Sequence, residues 1–382
     1  MSNTSPAAES YSSRHFQAVI IGGGIGGGAT ALALARAGQR VAVIERVASV
    51  EWKAGEGLPA QCKPLLQRLG VWERFLAEKH LPSYGKRSAW GSARLAESDS
   101  IFDVHGPGWQ LDRRKFEQML RSAAQEAGAI WFCPTQIHGP PLRVAGIWRL
   151  LVGDGDKREG LTAEVVVDAT GPASWFAARQ GVRRARYDRL VAVTSLLSPR
   201  KPPSDARTLV EAVAGGWWYS ALLPDGKVAA IYLTDADLLP GQQLKTAAGW
   251  WEWLSQTRHT RRLLETSGCQ VVAGPRLVSA VSSSLTAMSG DSWLAVGDAA
   301  TSFDPLSSQG MMNALANSIM AAQAILERGD GSAFQQYESN LRRAYREYLA
   351  HHRDYYALEQ RWPESPFWRR RATAHPFATI AV

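Results

Sequence analysis

The chain has 382 residues, of which 45% are hydrophobic and 20% are charged, which is ordinary for a globular protein of two or three domains. Lysine and arginine number 43 against 35 aspartates and glutamates, so the formal net charge is +8. The one dense basic run is FWRRRA at 367–372, which indicates a generally arginine-rich surface, and we expect no nucleic-acid partner. No stretch reaches the roughly 18 apolar residues of a membrane-spanning helix, so we expect no membrane span.

The cysteines and the N-terminus indicate where the protein works. Cys62, Cys133 and Cys269 are far apart and lack the spacing of metal ligands, so we predict no metal site. Buried free thiols are typical of a reducing compartment, which predicts a cytoplasmic location. The first residues (MSNTSPAAESYSSRH) are polar and contain no apolar signal-peptide region, and we predict a disordered leader at 1–14.

The segment FQAVIIGGGIGGGATALALARAGQRVAVIERV has the order strand, glycine-rich turn, helix, strand. Gly22 allows a tight turn, Gly24 lets the backbone approach a pyrophosphate, and Gly27 lets the helix pack closely on the strand. Glu45, with Arg46 beside it, ends the next strand about 20 residues downstream, where a carboxylate suits a ribose diol. The pattern predicts dinucleotide binding at the helix N-terminus, and a glycine-rich packing turn is the alternative.

The remaining elements follow from hydrophobic periodicity. Asp112 is placed to cap a helix, and the PDG sequence at 224–226 predicts a hairpin turn within a strand-rich region at 185–235. A buried strand that ends in a turn is predicted at 163–172, and further strands at 270–279 and 292–296. Helices are predicted at about 60–79, 112–127, 242–265, 308–327 and 332–359.

A second motif distinguishes FAD from NAD. SWLAVGDAATSFDPLSSQGM is a strand ending in Gly-Asp, then a loop and a helix start, which is similar to the GD motif of flavoprotein hydroxylases. By that resemblance the Asp binds the ribityl chain, unless it is only a helix cap, and the helix N-terminus suits the partial negative charge at one edge of the flavin ring. The residues assigned to FAD in this way are Gly297, Asp298, Pro305, Ser308, Gly310 and Met311.

Two shorter features agree with this assignment. The turn at 168–171 (DATG) resembles the strand-end turn that closes over FAD in the same superfamily. Arg113 occupies a position where such proteins often place an arginine near FAD, although a solvated charge at a helix start is the alternative. Because no second glycine-rich fingerprint follows, we expect the electrons to come from NAD(P)H that docks transiently or from a separate flavin reductase.

Several stretches resemble flavin-dependent tryptophan halogenases and their relatives. They are GEGLPAQCKPLLQRLGV (55–71), LPSYGKRSAWGS (81–92), GWWYSALLPDGK (216–227) and DPLSSQGM (304–311). Within that group the chain looks most like the maturation flavoproteins of quinone-cofactor oxidases and dehydrogenases, of the lysine ε-oxidase and glycine oxidase maturase type. The segment YYALEQRWPESPFWRRR (355–371) fits the same subgroup, and the resemblance covers nearly the whole chain.

The resemblance implies an α/β fold: a Rossmann-like FAD-binding domain of the aromatic hydroxylase type, an inserted antiparallel β-sheet substrate domain and C-terminal helices. The predicted FAD-binding domain comprises 15–182 and 268–328. The substrate domain is predicted at 183–267 and the C-terminal helical region at 329–382.

Two departures from the halogenases concern catalysis. Halogenases carry a Lys directly after a Ser-Tyr pair, whereas here Tyr84 is followed by Gly85, and Lys86 comes one place later. Halogenases also carry a Glu after Pro-Leu in the flavin-side loop, where this chain has Ser307. The halogenation relay is therefore incomplete, which favours oxygen insertion over halide chemistry.

Motif position supplies the site candidates. The simpler alternatives are a surface charge for Lys86, a turn residue for His105 and a loop cap for Glu56. The candidates near the chemistry are Glu56, Tyr84, Lys86, Trp90 and His105. An aromatic segment is the candidate substrate pocket, with sheet packing as its alternative, and comprises Trp217, Trp218 and Tyr219.

The function implied by the resemblance is that of an FAD-dependent monooxygenase. Through a flavin C4a-hydroperoxide it would hydroxylate a tryptophan side chain of a partner protein, as a step in tryptophylquinone-type cofactor biogenesis. The expected partner is a quinoprotein oxidase or dehydrogenase subunit, and the positive net charge could help to recruit an acidic surface. The alternatives are a small-molecule aromatic hydroxylase or halogenase, and an FAD-bearing maturation chaperone.

Overall fold

The computed structural model describes residues 13–48, 52–100, 103–155, 157–239, 241, 246–329 and 331–373. The leader predicted at 1–14 lies outside these residues except for its last two, which begin the first strand, Ser13–Ile21. Among the described residues, none of the helices combines the length and the apolar character needed to cross a bilayer.

An eight-stranded sheet, which we call the central sheet, forms the first half of the fold. Its middle strands are parallel and are built from apolar runs such as AVII and VAVI, which are buried as expected for strands covered on both faces. In spatial order the parallel strands are Trp293–Ala295, Lys157–Asp168, Ser13–Ile21, Val41–Ile44 and Ile130–Phe132. Antiparallel strands add to its margin at Ser289–Gly290, Gln136–Val144 and Ile147–Asp154.

Helices cover the central sheet and fix the glycine-rich turn. Ile25–Arg36 connects the first two parallel strands and packs against Gly310–Leu326 and Arg113–Glu126. The predicted cap is confirmed, because the Lys115 backbone N–H donates to Asp112 Oδ1 at 3.1 Å. This arrangement places three helix N-termini at the same side of the sheet as the carboxyl ends of its strands, where ligands of such sheets bind.

A seven-stranded sheet, which we call the inserted sheet, forms the second half. All its neighbouring strands are antiparallel except Thr208–Val213 and Gly85–Ala89. The predicted hairpin at 224–226 is confirmed, because Leu223 N–H donates to Lys227 O at 2.8 Å. In spatial order its strands are Gln270–Ser279, Leu190–Ser198, Val228–Asp235, Gly216–Leu222, Thr208–Val213, Gly85–Ala89 and Ala96–Asp99.

The outer face of the inserted sheet is covered by two helices, Ala247–Leu254 and His259–Thr266, within the region where helical segments are predicted. The break has an identifiable cause. The buried Glu211 carboxylate accepts hydrogen bonds from the backbone N–H groups of Arg258 and Thr260, both at 2.7 Å. Glu211, which lies in the sheet, therefore caps the N-terminus of the second helix. The chain must turn before that helix begins.

Shorter elements complete the fold. The helix predicted at 60–79 is divided near Gly70, whose φ of +65° ends one helix before the next begins. Two three-stranded sheets lie at the junction of the halves, one of Gly57–Leu58, Gly108–Gln110 and Leu81–Ser83, the other of Arg184–Arg186, Ser283–Leu285 and Thr301–Ser302. The remaining helices are Lys63–Arg68, Trp72–Ala77, Trp175–Arg179, Ser332–Ala357 and Pro366–Thr373, with short 3-10 turns at Ala60–Cys62, Gly171–Ala173, Ala236–Leu238, Gly297–Ala299 and Pro305–Ser307.

Candidate cofactor and active site

The glycine-rich turn is closed on one side and open on the other. A methyl group at Gly22 would overlap the carbonyl oxygen of Ala169, and one at Gly27 would overlap the carbonyl oxygen of Gly22. A methyl group at Gly24 would meet no atom within 4 Å. The turn is thus packed against protein at two glycines, and its open side at Gly24 fits the approach of a pyrophosphate to the helix N-terminus.

Glu45 lies against this turn. Its Oε2 accepts from the Gly23 N–H at 2.6 Å, and its Oε1 accepts from the Val47 N–H at 2.9 Å. Arg46, the other predicted cofactor residue here, is exposed beside it. Both carboxylate oxygens retain further lone pairs, so Glu45 can accept the hydroxyls of a ribose placed at the strand end, and that role stays a prediction.

A cleft of about 500 Å³ runs from the glycine-rich turn to the tip of the inserted sheet. Its walls include Gly24, Glu45 and Arg113 on one side and the hairpin residues Leu223 and Pro224 on the other. The cleft therefore joins the predicted nucleotide site to the inserted sheet in one continuous space.

Arg113 holds the loop that precedes the first small sheet. Its Nη1 donates to the Gly55 carbonyl oxygen at 2.9 Å, and its Nη2 donates to Glu117 Oε1 at 2.9 Å. Lys53 approaches the same Glu117 carboxylate at 2.7 Å. The buried Nε of Arg113 has no hydrogen-bond partner among the described residues, which leaves one donor for a ligand in the cleft.

Glu56 follows in the same loop and is 1% exposed. Its Oε2 accepts from the Gly55 N–H at 3.0 Å, while its buried Oε1 has no hydrogen-bond partner in the described part of the chain. Burial raises the pKa of Glu56 to about 7, although the positive charge of Arg113 opposes this effect. Near neutral pH this carboxyl group can therefore hold or release a proton beside the cleft.

The predicted flavin motif forms a tight turn that is held from behind. Arg184 Nη2 donates to the carbonyl oxygens of Asp298 and Ala299, at 2.8 and 2.7 Å, and also contacts Ser174 Oγ. The Asp298 side chain is solvent-accessible, although protein atoms surround it closely. Burial raises the pKa of Asp298, and the charges of Arg113 and Arg184 oppose this. No sequence pattern predicted this role for Arg184.

The DATG turn is organised by Asp168. Its Oδ1 accepts from the Thr170 N–H at 3.0 Å, and its Oδ2 accepts from the N–H groups of Phe176 and Ala177 at 2.9 Å. Because one buried carboxylate joins the strand end to the helix Trp175–Arg179, the turn keeps a fixed position beside the glycine-rich turn.

The flavin-side loop, residues 303–312, leads into the helix Gly310–Leu326. Ser308 has a φ of +54°, which is uncommon for a residue other than glycine, and it lies two residues before the helix start. The first turn of the helix includes Gly310 and Met311. The backbone N–H groups of this turn have no acceptor within the helix and point out from its N-terminus. Ser307 is held within the loop, because its Oγ donates to the Asp304 carbonyl oxygen at 2.8 Å. Pro305 is exposed.

A buried network fixes this loop from the C-terminal helix Ser332–Ala357. Asp304 Oδ2 accepts from the Tyr356 hydroxyl at 2.7 Å and lies 3.0 Å from His352 Nε2. The Tyr356 hydroxyl in turn accepts from the Trp217 indole N–H at 2.9 Å. Burial alone would raise the pKa of Asp304, but the hydrogen bond and charge of His352 hold it below its usual range.

The sequence interpretation missed this network, although one signal was available. Tyr348, His352 and Tyr356 recur at a spacing of four, so they lie along one face of the predicted helix. Tyr348 belongs to the same face, since its hydroxyl accepts from the Asp304 N–H at 2.8 Å.

The inner face of the inserted sheet approaches Glu56. An added methyl group at Gly57 would lie 3.6 Å from the Tyr219 hydroxyl oxygen, and burial together with the Glu56 charge raises the pKa of Tyr219. Lys86 neighbours Thr208 in the adjoining strand, on the same face of the sheet, and its side chain is solvent-exposed. Protein atoms around its amino group partly desolvate it and lower its pKa. The structure therefore brings Glu56 and Tyr219 together and places Lys86 on the face that they share.

The other predicted site residues lie elsewhere. Tyr84 is exposed. His105 is half-buried in a turn, where its backbone N–H donates to Asp103 Oδ1 at 2.9 Å. Trp90 packs with its ring centre 6.3 Å from that of Trp217. Trp217 and Trp218 are successive strand residues and point to opposite faces: Trp217 towards Tyr356, and Trp218 into the core beneath the outer helices.

These features together define a flavoprotein. The open side of the turn at Gly24, the continuous cleft and the free polar atoms of Arg113 and Glu56 fit a dinucleotide cofactor with an extended ring system.

Comparison with known proteins agrees with this class. A family profile described as FAD binding domain matches residues 15–347. The putative FAD-dependent oxidoreductase LodB of Marinomonas mediterranea is 30% identical over 370 residues, which are 96% of this chain and 98% of LodB. The chain therefore belongs to the FAD-binding domain family.

Solved structures share the fold. The flavin-dependent halogenase CmlS superimposes with a TM-score of 0.84 at 24% identity, covering 95% of this chain and 68% of CmlS. QhpG, a peptidyl tryptophan dihydroxylase essential for tryptophylquinone cofactor biogenesis, gives a TM-score of 0.73 at 24% identity, covering 97% and 81%.

The comparisons confirm the predicted α/β fold class and the predicted resemblance to halogenase-like flavoproteins and quinone-cofactor maturation proteins. The chain is an FAD-dependent oxidoreductase of the monooxygenase class, as the sequence predicted, and FAD is its cofactor.

Proposed function

We propose that this protein hydroxylates a tryptophan side chain within a partner polypeptide, as a step towards a tryptophylquinone-type cofactor. The similarity to LodB over nearly the whole chain and the shared fold with QhpG support this assignment. The proposed substrate belongs to a quinoprotein oxidase or dehydrogenase, which must present its tryptophan in an accessible segment.

One observation carries the choice of oxygen over halide chemistry. Ser307, which stands where a halogenase carries its Glu, has its hydroxyl turned back to the Asp304 carbonyl oxygen. It cannot act as a carboxylate towards a substrate. The free carboxyl group beside the cleft is instead Glu56, whose Oε1 has no partner among the described residues.

The reaction replaces an aromatic C–H bond by C–OH. One atom of O₂ enters the product and the other leaves as water, which consumes two electrons and two protons. The electrons come from NAD(P)H or from a separate flavin reductase. When bound, FAD supplies the oxygen-activating redox chemistry.

The protein's own residues bind, orient and supply protons. In this proposal Gly24, Glu45 and Arg113 would hold the dinucleotide, and Asp298 with the start of the helix Gly310–Leu326 would hold its flavin end. Burial raises the pKa of Glu56 to about 7, so this carboxyl group can hold or release a proton near neutral pH. The half-buried Tyr219 and the inner face of the inserted sheet would limit the access of water to the substrate's tryptophan ring. Excluding water strengthens polar interactions at that ring.

The experiment that tests this function uses purified FAD-loaded protein, reductant, O₂ and a quinoprotein subunit that has not been processed. We expect a tryptophan-containing peptide of the subunit to gain the mass of one or more oxygen atoms. In ¹⁸O₂ the gain must shift accordingly, since the oxygen derives from O₂. Stable complex formation without any mass gain would contradict the proposal and favour a chaperone role.

A second candidate is a small-molecule halogenase, favoured by the position of Lys86 on the face shared with Glu56 and Tyr219. Adding bromide and free tryptophan to the same reaction tests it. Brominated tryptophan would support halogenation, and its loss in a Lys86→Met variant would identify the residue responsible.

A further inference from the structure

The glycine-rich turn has different neighbours on its two sides. An added methyl group at Gly26 would lie 3.8 Å from the Gly297 nitrogen, so this side adjoins the predicted flavin motif. An added methyl group at Gly23 would lie 2.8 Å from Trp131 Cζ2 and 3.1 Å from Glu45 Cβ. Because the pyrophosphate is in the middle of FAD, we expect the two sides of the turn to face opposite ends of the cofactor. Trp131 lies on the side away from the flavin motif.

Trp131 is fixed beside Glu45 by the central sheet. It pairs in register with Val43, and the Glu45 N–H donates to the Phe132 carbonyl oxygen at 2.9 Å. The half-buried indole lines the cleft together with Gly24 and Glu45. Its Nε1 is buried and has no hydrogen-bond partner among the described residues, so one donor of the cleft wall is unused.

Arg121 is the companion of Trp131. It comes from the helix Arg113–Glu126, and its guanidinium carbon lies 5.4 Å from the centre of the Trp131 ring. Arg121 is half-buried and lines the same cleft, and its buried Nε also has no partner in the part of the chain that the structure describes. Two flat side chains, each with an unused N–H donor, therefore stand next to each other at this end of the cleft.

These two groups suit a flat heteroaromatic ring that accepts hydrogen bonds. Indole and guanidinium groups both stack on aromatic faces, and adenine has such a face together with ring nitrogens that accept hydrogen bonds. In FAD the adenine is bonded to the ribose that Glu45 is predicted to bind. The order of the groups along the cofactor therefore brings the adenine, and not the flavin, to Trp131 and Arg121.

We propose that Trp131 and Arg121 bind the adenine of FAD and make the protein select FAD over FMN, which lacks the adenosine monophosphate half. The assignment rests on FAD as the cofactor and goes beyond the hydroxylation proposed above. The simpler alternative is that Arg121 only packs on Trp131 to support the fold. A nicotinamide dinucleotide also carries an adenine and is the other occupant with this chemistry.

The test uses protein from which FAD has been removed, titrated in a calorimeter with FAD, FMN and ADP. The wild type should bind FAD more tightly than FMN and should also bind ADP. Trp131→Leu removes the flat ring and its donor, and Arg121→Met removes the guanidinium group but keeps an apolar stem. In each variant we expect FAD and ADP to bind at least about ten-fold more weakly, with unchanged FMN affinity.

Two kinds of variant act as controls. Trp131→Phe keeps a flat ring without the N–H group, so its loss of FAD affinity should be smaller than that of Trp131→Leu. Trp72 and Lys63 form a similar pair, with Lys63 Nζ 5.5 Å from the centre of the Trp72 ring, outside the lining of the cleft. Trp72→Leu and Lys63→Met should leave the ratio of FAD to FMN affinity unchanged.

Three outcomes would overturn the proposal. Equal weakening of FAD and FMN binding in Trp131→Leu would show that the ring only supports the fold. Unchanged FAD affinity in both Trp131→Leu and Arg121→Met would remove the two residues from the cofactor site. Weaker NADPH binding by the FAD-loaded variants, with unchanged FAD affinity, would assign the pair to a nicotinamide dinucleotide. The proposed function is tested separately by the mass gain of the partner subunit, so either proposal can fail while the other stands.

Discussion

Glu56 is a buried carboxyl group without a full set of partners. One oxygen is held by the Gly55 N–H, and the other faces inward without a hydrogen bond from the described residues. Burial outweighs the attraction of Arg113 and raises the pKa to about 7. Buried carboxyl groups with such pKa values are common at functional sites, because they exchange protons near neutral pH.

The raised pKa of Glu56 predicts how stability depends on pH. The folded state binds the proton more tightly than the unfolded state, so this contribution is favourable below the ordinary value of 4.5 and is lost as pH rises to about 7. The loss is at most on the order of 3 kcal/mol, because one pKa unit corresponds to about 1.4 kcal/mol. We therefore expect the free energy of unfolding of Glu56→Gln, relative to that of the wild type, to increase from pH 5 to pH 8. Urea unfolding of the FAD-free protein at the two pH values measures this change.

A matched control for this measurement is Glu73→Gln, since Glu73 is exposed on a helix surface. Its stability relative to the wild type should be the same at both pH values. If the difference in stability between the wild type and Glu56→Gln were also the same at pH 5 and pH 8, Glu56 would not titrate between these two pH values.

The glycine-rich turn shows at the level of an element how two glycines can be required for different reasons. Gly27 is required by the protein itself, because the carbonyl oxygen of Gly22 occupies the place of a side chain. Gly24 is predicted to serve the ligand, because its open side faces the cleft. The sequence motif predicted both roles; the structure shows the close contact at Gly27, and the role of Gly24 stays a prediction.

Alanine substitutions should therefore separate folding from cofactor binding. Gly24→Ala should unfold at the same temperature as the wild type without FAD, but lose at least about ten-fold in FAD affinity. Gly27→Ala should lose about 1–3 kcal/mol or more of stability in the FAD-free protein, because overpacking forces backbone shifts. Differential scanning fluorimetry and flavin-fluorescence titration measure the two effects, and equal destabilisation of both variants would contradict this division.

Several elements were predictable from the sequence because local chemistry determines them. The βαβ unit, the Asp112 cap and the PDG hairpin each depend on residues close together in the chain. The antiparallel hairpin at 136–154 was not predicted, because Gly139, Pro140 and Pro141 interrupt its strand pattern. The place where the second helical segment at 242–265 begins depends on Glu211, which is distant in the sequence and close only in the folded sheet.

For the whole molecule, the junction between the halves was the least predictable part. Motifs predicted the residues for FAD binding, since the chemistry of dinucleotide binding is shared among many proteins. Arg184, Asp304 and Tyr356 act through contacts with residues far away in the chain, so no local pattern assigns their partners. The consequence is a flavin-side loop whose position depends on the C-terminal helix and on the inserted sheet together.

The Tyr356 hydroxyl is the point where these three parts meet, because it bonds to Asp304 and accepts from Trp217. Tyr356→Phe leaves the buried indole N–H without a partner, which costs about 1–3 kcal/mol. It also removes one of the donors that hold Asp304, so we expect weaker FAD binding. Tyr355→Phe is the matched control, because Tyr355 is the preceding residue of the same helix and is 42% exposed.

Urea unfolding and flavin-fluorescence titration of both variants test this coupling. Tyr356→Phe should unfold at a lower urea concentration and release FAD more readily, and Tyr355→Phe should match the wild type in both measurements. If Tyr356→Phe lost stability but bound FAD normally, the hydroxyl would support only the packing of the helix on the inserted sheet. Joint loss of both properties is the result expected if the C-terminal helix transmits the position of the inserted sheet to the flavin-side loop.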